Sequence, residues 1–141
     1  MKERTIYALG FFDGVHLGHR ALLKACRSLA ERHGCKAGAV TFTTHPDSLV
    51  SGKTPALLTT NEDKCRLLRF YGMDTVAELP FDKKLMATPW TAFLEQLLEN
   101  GAAGFVCGED FHFGYRGEGN AQILGEFCKE RNSPWAVVSA Q

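Results

Sequence analysis

Two histidines and three glycines lie close together near the start of the chain, in the run Gly-Phe-Phe-Asp-Gly-Val-His-Leu-Gly-His from Gly10 to His19. The spacing of His16 and His19 puts both imidazoles on one face of a helix. They fall in its first turn, where free backbone N–H groups and the positive end of the helix dipole favour an anion. Gly14 allows a tight turn, and Gly18 lets a phosphate approach the backbone. The cluster predicts stabilisation of charge on a transferring phosphoryl or nucleotidyl group.

Other roles for the two histidines are weaker. Histidines three residues apart can ligate a metal, but no third ligand of suitable spacing is evident, so we expect no metal site in the protein. They can also be ordinary surface residues, which the flanking glycines, the preceding strand and the following helix argue against. The chain has no Gly-x-x-x-x-Gly-Lys-Ser/Thr loop and no Gly-x-Gly-x-x-Gly after its first strand, which disfavours a P-loop kinase and a dinucleotide-binding dehydrogenase.

The elements that must position this cluster are short apolar runs alternating with amphipathic stretches. The pattern predicts strands over residues 6–12, 37–42, 75–79, 104–107 and 135–138, and helices over 17–33, 61–71, 88–100 and 121–131. Thr88 is the predicted N-cap of the third helix and Pro89 its first residue. This alternation indicates βαβ units and a parallel sheet covered on both faces. Ligands bind such sheets at the carboxyl ends of the strands, and each polar cluster here follows a predicted strand.

Length and composition indicate one globular domain over residues 1–141. Apolar residues make up 45% of the chain and charged residues 23%, as in ordinary folded proteins. Sixteen basic and sixteen acidic residues cancel, which gives no support to a nucleic-acid or membrane partner. Since no apolar run approaches a bilayer span or a signal-peptide core, we expect a cytoplasmic protein. The sequence gives no indication of oligomeric state.

The cysteines also favour a cytoplasmic protein. Their number is odd, they are widely scattered and no Cys-x-x-Cys pair occurs, which argues against a disulfide framework or a zinc site. The five are Cys26, Cys35, Cys65, Cys107 and Cys128. Cys107 lies in an apolar run, so we expect it to be a small buried hydrophobe.

Three ordered segments resemble a known family. Residues 12–19 resemble the first signature of the nucleotidyltransferase superfamily, in the form found in bacterial FAD synthetases, which transfer AMP from ATP to FMN. Residues 41–46, Thr-Phe-Thr-Thr-His-Pro, are similar to the family's second motif, and residues 108–114 to its third, Gly-x-Asp-Phe-x-Phe-Gly. Each of the three follows a predicted strand, and together they are far more specific than any one alone.

The resemblance implies roles for individual residues on the nucleotide side. His16 and His19 would contact the ATP phosphates and stabilise the transition state. Asp110 would help to hold substrate and the magnesium-bound nucleotide, although a turn or N-cap role for this carboxylate is open. The remaining residues implied for nucleotide binding are Gly10, Phe11, Phe12, Asp13, Gly14 and Gly18. Mg²⁺ is thus expected as the companion of ATP.

On the flavin side, the resemblance places His45 and Pro46 near the FMN phosphate and ring. Phe111 and Phe113 are assigned to the same side, although an aromatic pair at strand spacing is usually part of the core. Lys53 and Arg116 are cations available to a phosphate, and solvated surface charge is the alternative, favoured for Lys53.

Three departures from the family pattern stand out. Thr44 replaces a Pro of the second motif, and Gly117 lies where the family often has an Arg, with Arg116 beside it. The family's Ser-Ser-Thr-x-Ile-Arg motif and its riboflavin kinase barrel do not occur in residues 1–141. We therefore expect a truncated chain or a naturally short product, with weakened ATP binding.

These observations predict a Rossmann-like three-layer α/β/α domain with a five-stranded parallel sheet. The predicted activity is FMN adenylyl transfer, with ATP and FMN as small-molecule substrates. One alternative is a catalytically silent nucleotide- or flavin-binding fragment. Another is a different nucleotidyltransferase, such as a cytidylyltransferase or a pantetheine-phosphate adenylyltransferase.

Overall fold

Strands and helices alternate along the chain in the computed structural model, which describes residues 4–12, 17–42, 61–80 and 82–139. The strands are β1 (Thr5–Leu9), β2 (Lys36–Phe42), β3 (Thr75–Leu79), β4 (Ala102–Gly108) and β5 (Trp135–Val138). The helices are α1 (Leu17–Arg32), α2 (Asn61–Phe70), α3 (Lys83–Met86), α4 (Trp90–Glu99) and α5 (Ala121–Glu130), and a 3₁₀ turn spans Tyr115–Gly117. None of the described helices is long and apolar enough to cross a membrane.

All five strands join one parallel sheet in the order β3-β2-β1-β4-β5. The central strand β1 pairs with β2 on one side and β4 on the other, so that Ile6 lies opposite Ala37 and Gly104. The strand order reverses at β1, which places the ligand-binding edge at the carboxyl ends of β1, β2 and β4. The predicted five-stranded parallel α/β fold is confirmed.

Two apolar clusters, one on each face of the sheet, complete three layers. On one face α1 and the end of α2 cover the sheet, with Leu23, Cys26 and Leu68 fully or almost fully buried. On the other face α4 and α5 pack through residues such as Leu94 and Leu124. Because helices cover both faces of the sheet, β1 is buried at all five positions. Strands buried in this way form nearly continuous apolar runs.

Some predicted boundaries were wrong by a few residues. The first strand ends at Leu9 instead of Phe12, because Gly10 begins a bend and Phe12 adopts a left-handed backbone with φ of 57°. The predicted helix over residues 88–100 corresponds to α4. Thr88 was predicted to be its N-cap, but Pro89 occupies that position and makes no side-chain capping bond. The Thr88 hydroxyl instead donates to the Lys84 carbonyl at 2.8 Å and closes α3, a short helix that the sequence pattern did not predict.

Candidate active site at the carboxyl edge of the sheet

Phe11 and Phe12 follow β1, and their side chains pack on different elements: Phe12 on α1 and Phe11 on β2. Phe12 is fully buried, and its ring meets the imidazole of His19 edge-on, with ring centroids 5.2 Å apart. His19 lies in the first turn of α1 and is half-buried, and the backbone of Gly18 precedes it there. That turn carries no acidic residue. The N-terminus of α1 therefore keeps its affinity for an anion, with an imidazole beside it.

Phe11 turns toward β2, where two contacts fix it. The hydroxyl of Thr41, which is fully buried, donates to the Phe11 carbonyl at 2.9 Å. The ring of Phe11 packs on that of Phe42, with centroids 4.8 Å apart. The ends of β1 and β2 are thus joined by a hydrogen bond and an aromatic pair. This brings the first predicted motif and the beginning of the second together.

A buried lysine contacts the same edge. Lys64 lies in the first turn of α2 with only 2% of its surface exposed, and its Nζ donates to the Phe42 carbonyl at 2.9 Å. Lysine is almost never fully buried in proteins unless it is paired. The ammonium therefore helps to hold Phe42, the last residue of β2, whose ring packs on Phe11.

The glycine-rich loop after β4 folds back on itself. Phe113 and Gly119 exchange backbone hydrogen bonds of 3.1 and 2.8 Å in an antiparallel bridge. Gly114 adopts a positive φ of 81°, and a Cβ there would lie 2.6 Å from the Trp90 Cα. Only glycine fits both the backbone conformation and this close approach. The loop is therefore pressed against α4 and presents its aromatic side chains to the edge of the sheet.

These elements enclose an apolar cavity of about 200 Å³. Its lining residues are Phe11, Phe42, Leu85, Met86, Phe93, Phe111, His112, Phe113, Gly114 and Gly117. Phe111 and Phe113 have nearly parallel rings, 18° from coplanar with centroids 5.9 Å apart. Phe113 is also part of the core, whereas Phe111 is half-buried at the cavity. Phe113 therefore has the core position that an aromatic pair at strand spacing usually takes, and both Phe111 and Phe113 line the cavity.

The polar residues of the loop lie at its surface. Asp110 lies two residues after the end of β4, is exposed, and makes no hydrogen bond or ion pair with the described residues. A capping bond from its carboxylate, which the sequence left open, is thus not made there. His112 is exposed, with Nδ1 3.2 Å from the Gly117 carbonyl. Arg116 is exposed and stacks over the ring of Tyr115 at 5.2 Å, in the same short turn.

Of the predicted site residues, the structure brings Gly10, Phe11, Phe12, Gly18, His19, Asp110, Phe111 and Phe113 to the carboxyl edge of the sheet. The remaining predicted residues lie outside the described residues; they are Asp13, Gly14, His16, His45, Pro46 and Lys53. Their roles remain predictions. Within the described residues, no group of three or more His, Cys, Asp or Glu side chains is placed to hold a metal ion.

Sequence reasoning missed Lys64 and gave His112 no role. Lys64 is four residues before the buried Leu68 and next to the buried Cys65, so it lies on the inward face of α2. That spacing was a usable signal. His112 had no comparable signal, because its position at the cavity depends on how the loop folds back between Phe113 and Gly119.

Comparison with solved structures supports the fold. A structure described as the crystal structure of a macrolide-efflux protein from Streptococcus pneumoniae matches with a TM-score of 0.81 at 20% identity. The match covers 99% of this chain and 45% of that one. At this level of identity, the likeness shows the fold alone.

Curated relatives are more informative. The bifunctional riboflavin kinase/FMN adenylyltransferase of Listeria monocytogenes is 33% identical over 133 residues, covering 89% of this chain and 41% of that protein. The protein of the same name from Escherichia coli K12 is 33% identical over 126 residues, covering 87% and 40%. The chain thus spans about two fifths of the length of these relatives. The family model described as FAD synthetase matches residues 1–141. The chain therefore belongs to the FAD synthetase family.

Proposed function

We propose that this chain catalyses the FMN adenylyltransferase reaction, in which AMP is transferred from ATP to FMN to give FAD and pyrophosphate. The observation that carries the proposal is the aromatic cavity of about 200 Å³ at the carboxyl edge of the sheet. Phe11 lines this cavity, and the next residue in the chain, Phe12, packs on the imidazole of His19. An aromatic pocket and an anion-binding helix end therefore meet at one turn.

The cavity accounts for the flavin end of the reaction. Ligand pockets for whole drug-sized molecules span roughly 300–1,000 Å³, so this smaller space takes a ring and leaves a polar tail outside. An isoalloxazine ring is flat, aromatic and mostly apolar, and the near-parallel Phe111 and Phe113 supply a matching surface. The ribityl phosphate of FMN then extends toward the N-terminus of α1.

The helix end accounts for the transfer itself. An oxygen of the FMN phosphate attacks the α-phosphorus of ATP, the bond from that phosphorus to the bridging oxygen breaks, and pyrophosphate leaves. Such a transfer needs positioning and electrostatic stabilisation more than an activated nucleophile. The first turn of α1, with His19 and the predicted His16, supplies positive charge and N–H donors toward the phosphates.

Magnesium belongs to the proposal only as the companion of ATP. Mg²⁺ in nucleotide sites takes most of its ligands from phosphates and water, with one or two protein carboxylates. That donor set fits the described residues, which offer the exposed Asp110 carboxylate and no cluster of ligands. Asp110 would hold the ion at the nucleotide, and the ion would neutralise charge on the phosphates.

The test measures FAD and pyrophosphate formation from ATP and FMN by the protein as its gene encodes it, alongside FMN binding followed by quenching of flavin fluorescence. The matched variants are Phe111→Ala, at the cavity, and Phe70→Ala, whose ring is exposed on α2. Stacking of one ring contributes about 1–3 kcal/mol, so Phe111→Ala should raise the Kd for FMN by about 5- to 100-fold. Phe70→Ala should leave it unchanged.

The outcomes separate the alternatives. FMN binding without any FAD formation would favour a catalytically silent flavin-binding protein. Transfer from CTP, or from ATP to an acceptor other than FMN, would favour a different nucleotidyltransferase. An identical Kd for FMN in both phenylalanine variants would mean that the flavin does not occupy this cavity.

A further inference from the structure

His112 is the one polar side chain that lines the aromatic cavity within the described part of the chain. Phe93 and Phe113 at the inner end are buried, whereas His112 is exposed, so the imidazole marks the mouth. In apolar ligand pockets, a small number of polar groups fix the orientation of the ligand and provide specificity. The position of His112 is therefore that of an orienting group.

The hydrogen bond of His112 fixes its tautomer. Nδ1 lies 3.2 Å from the carbonyl oxygen of Gly117. A carbonyl oxygen only accepts, so Nδ1 must carry the proton in this contact. In the neutral imidazole, Nε2 is then a hydrogen-bond acceptor. No described residue donates to it. Among the described residues, the neutral imidazole thus gives the mouth of the cavity one pre-positioned ring acceptor.

An oxidised isoalloxazine ring has one N–H donor, at N3, between two carbonyl acceptors on its pyrimidine edge. Its opposite, dimethylbenzenoid edge is wholly apolar. A cavity with phenylalanines inside and one acceptor at its mouth complements such a ring in one direction only. The benzenoid edge goes inward, toward Phe93, and the N3–H faces outward, toward His112.

We propose that Nε2 of His112 accepts a hydrogen bond from N3–H of the flavin and thereby sets the direction in which the ring enters the cavity. The inference depends on the proposed function, since it needs a flavin in this cavity. His112 would be a specificity-determining residue for the flavin substrate. Phe111 and Phe113 supply the stacking surface and favour neither direction.

The experiment combines a change in the ligand with a change in the protein. FMN and FMN methylated at N3 are titrated by fluorescence quenching into the unaltered protein, His112→Phe, His112→Ala and the control His33→Phe. His33 is an exposed histidine immediately after α1, away from the cavity. His112→Phe keeps a ring and removes the acceptor, whereas His112→Ala also removes the ring and guards against an effect of the added bulk.

One hydrogen bond changes affinity by about 2- to 10-fold. The unaltered protein and His33→Phe should therefore bind FMN more tightly than N3-methyl FMN by at least that factor. Both His112 variants should bind FMN about 2- to 10-fold more weakly and lose that part of the preference. An unchanged preference in folded His112 variants would overturn this inference and leave the proposed function standing. No binding of FMN by the unaltered protein would overturn both.

Discussion

The ammonium of Lys64 donates a hydrogen bond of 2.9 Å to the carbonyl of Phe42, linking the first turn of α2 to the last residue of β2. The lysine is 2% exposed. Taking an ammonium out of water costs several kcal/mol, and hydrogen bonds to its protons must offset that cost. The contact therefore ties α2 to the wall of the cavity, because the ring of Phe42 lines that cavity and packs on Phe11.

Reversing this buried charge should be far more damaging than reversing an exposed one on the same helix. Lys64→Glu would set a buried carboxylate against a carbonyl oxygen, and we expect it to lower the free energy of unfolding by about 3–5 kcal/mol or more. Arg69→Glu, at an exposed position of α2, should change it by no more than about 1 kcal/mol. Thermal or urea unfolding compares the two. Equal stability would mean that the Lys64 ammonium reaches water.

His19 should matter for turnover more than for folding. We expect His19→Ala to reduce FAD formation by about 10²-fold or more, as when one preorganised donor to developing charge is removed. Its edge contact with Phe12 should account for a loss of stability of only about 0.5–1.5 kcal/mol. His16→Ala should lower turnover similarly. His33→Ala is the control, and near-normal turnover in both His16 and His19 variants would refute the assignment of the helix end to the phosphates.

Two aspartates near the cavity should show opposite effects. Asp110 makes no bond with the described residues, so Asp110→Ala should leave stability within about 0.5 kcal/mol. It should weaken binding of magnesium–ATP by roughly tenfold or more, the contribution of one charged contact. Asp82 caps α3 by accepting from the Leu85 amide at 2.8 Å, and Asp82→Ala should cost about 1 kcal/mol of stability without affecting ATP. Calorimetry and thermal melts distinguish the two variants; a destabilised Asp110→Ala that still binds ATP would contradict the expectation.

The thiols should differ in reactivity according to burial. Burial raises the pKa of Cys26 and Cys128 to about 12, and that of Cys107 to about 11. Burial, together with the Glu78 carboxylate, raises the pKa of Cys65 to about 11. Cys35 is half-exposed. Because the thiolate is the reactive form, a thiol reagent at pH 8 should label Cys35 quickly and the other four slowly, as peptide mass spectrometry would show. Rapid labelling of Cys107 in folded protein would be inconsistent with a closed core.

The same thiols predict a direction for stability at high pH. An unfolded thiol ionises near the ordinary value of 9.0, whereas the buried thiols stay protonated until about 11 to 12. Between these values the folded state binds more protons than the unfolded one, so the free energy of unfolding should fall as pH rises. Urea unfolding at pH 8 and pH 10 tests the sign, and a Cys26→Ala variant should show a smaller fall.

The sequence by itself determined the order of the five strands and the four longer helices along the chain, the parallel sheet and the edge at which the motifs gather. The periodicity of apolar residues indicates which positions are buried. Connections between parallel strands are right-handed, so alternating strands and helices can adopt only a few topologies. The sequence also placed His19 at a helix N-terminus and Asp110 in the loop that follows a strand. Both placements depend on neighbouring residues in the chain, where sequence spacing is a reliable guide.

Only the tertiary structure decided which side chains share the cavity. Phe42 and Phe113 are 71 positions apart, and they line one space because β1 lies between β2 and β4 and the loop folds back at Gly114. The predicted continuation of β1 to Phe12 was wrong, because the chain bends at Gly10 and Phe12 adopts a left-handed backbone with its ring against His19. Contacts between distant segments depend on how all the elements pack at once, and local spacing in the sequence does not encode them.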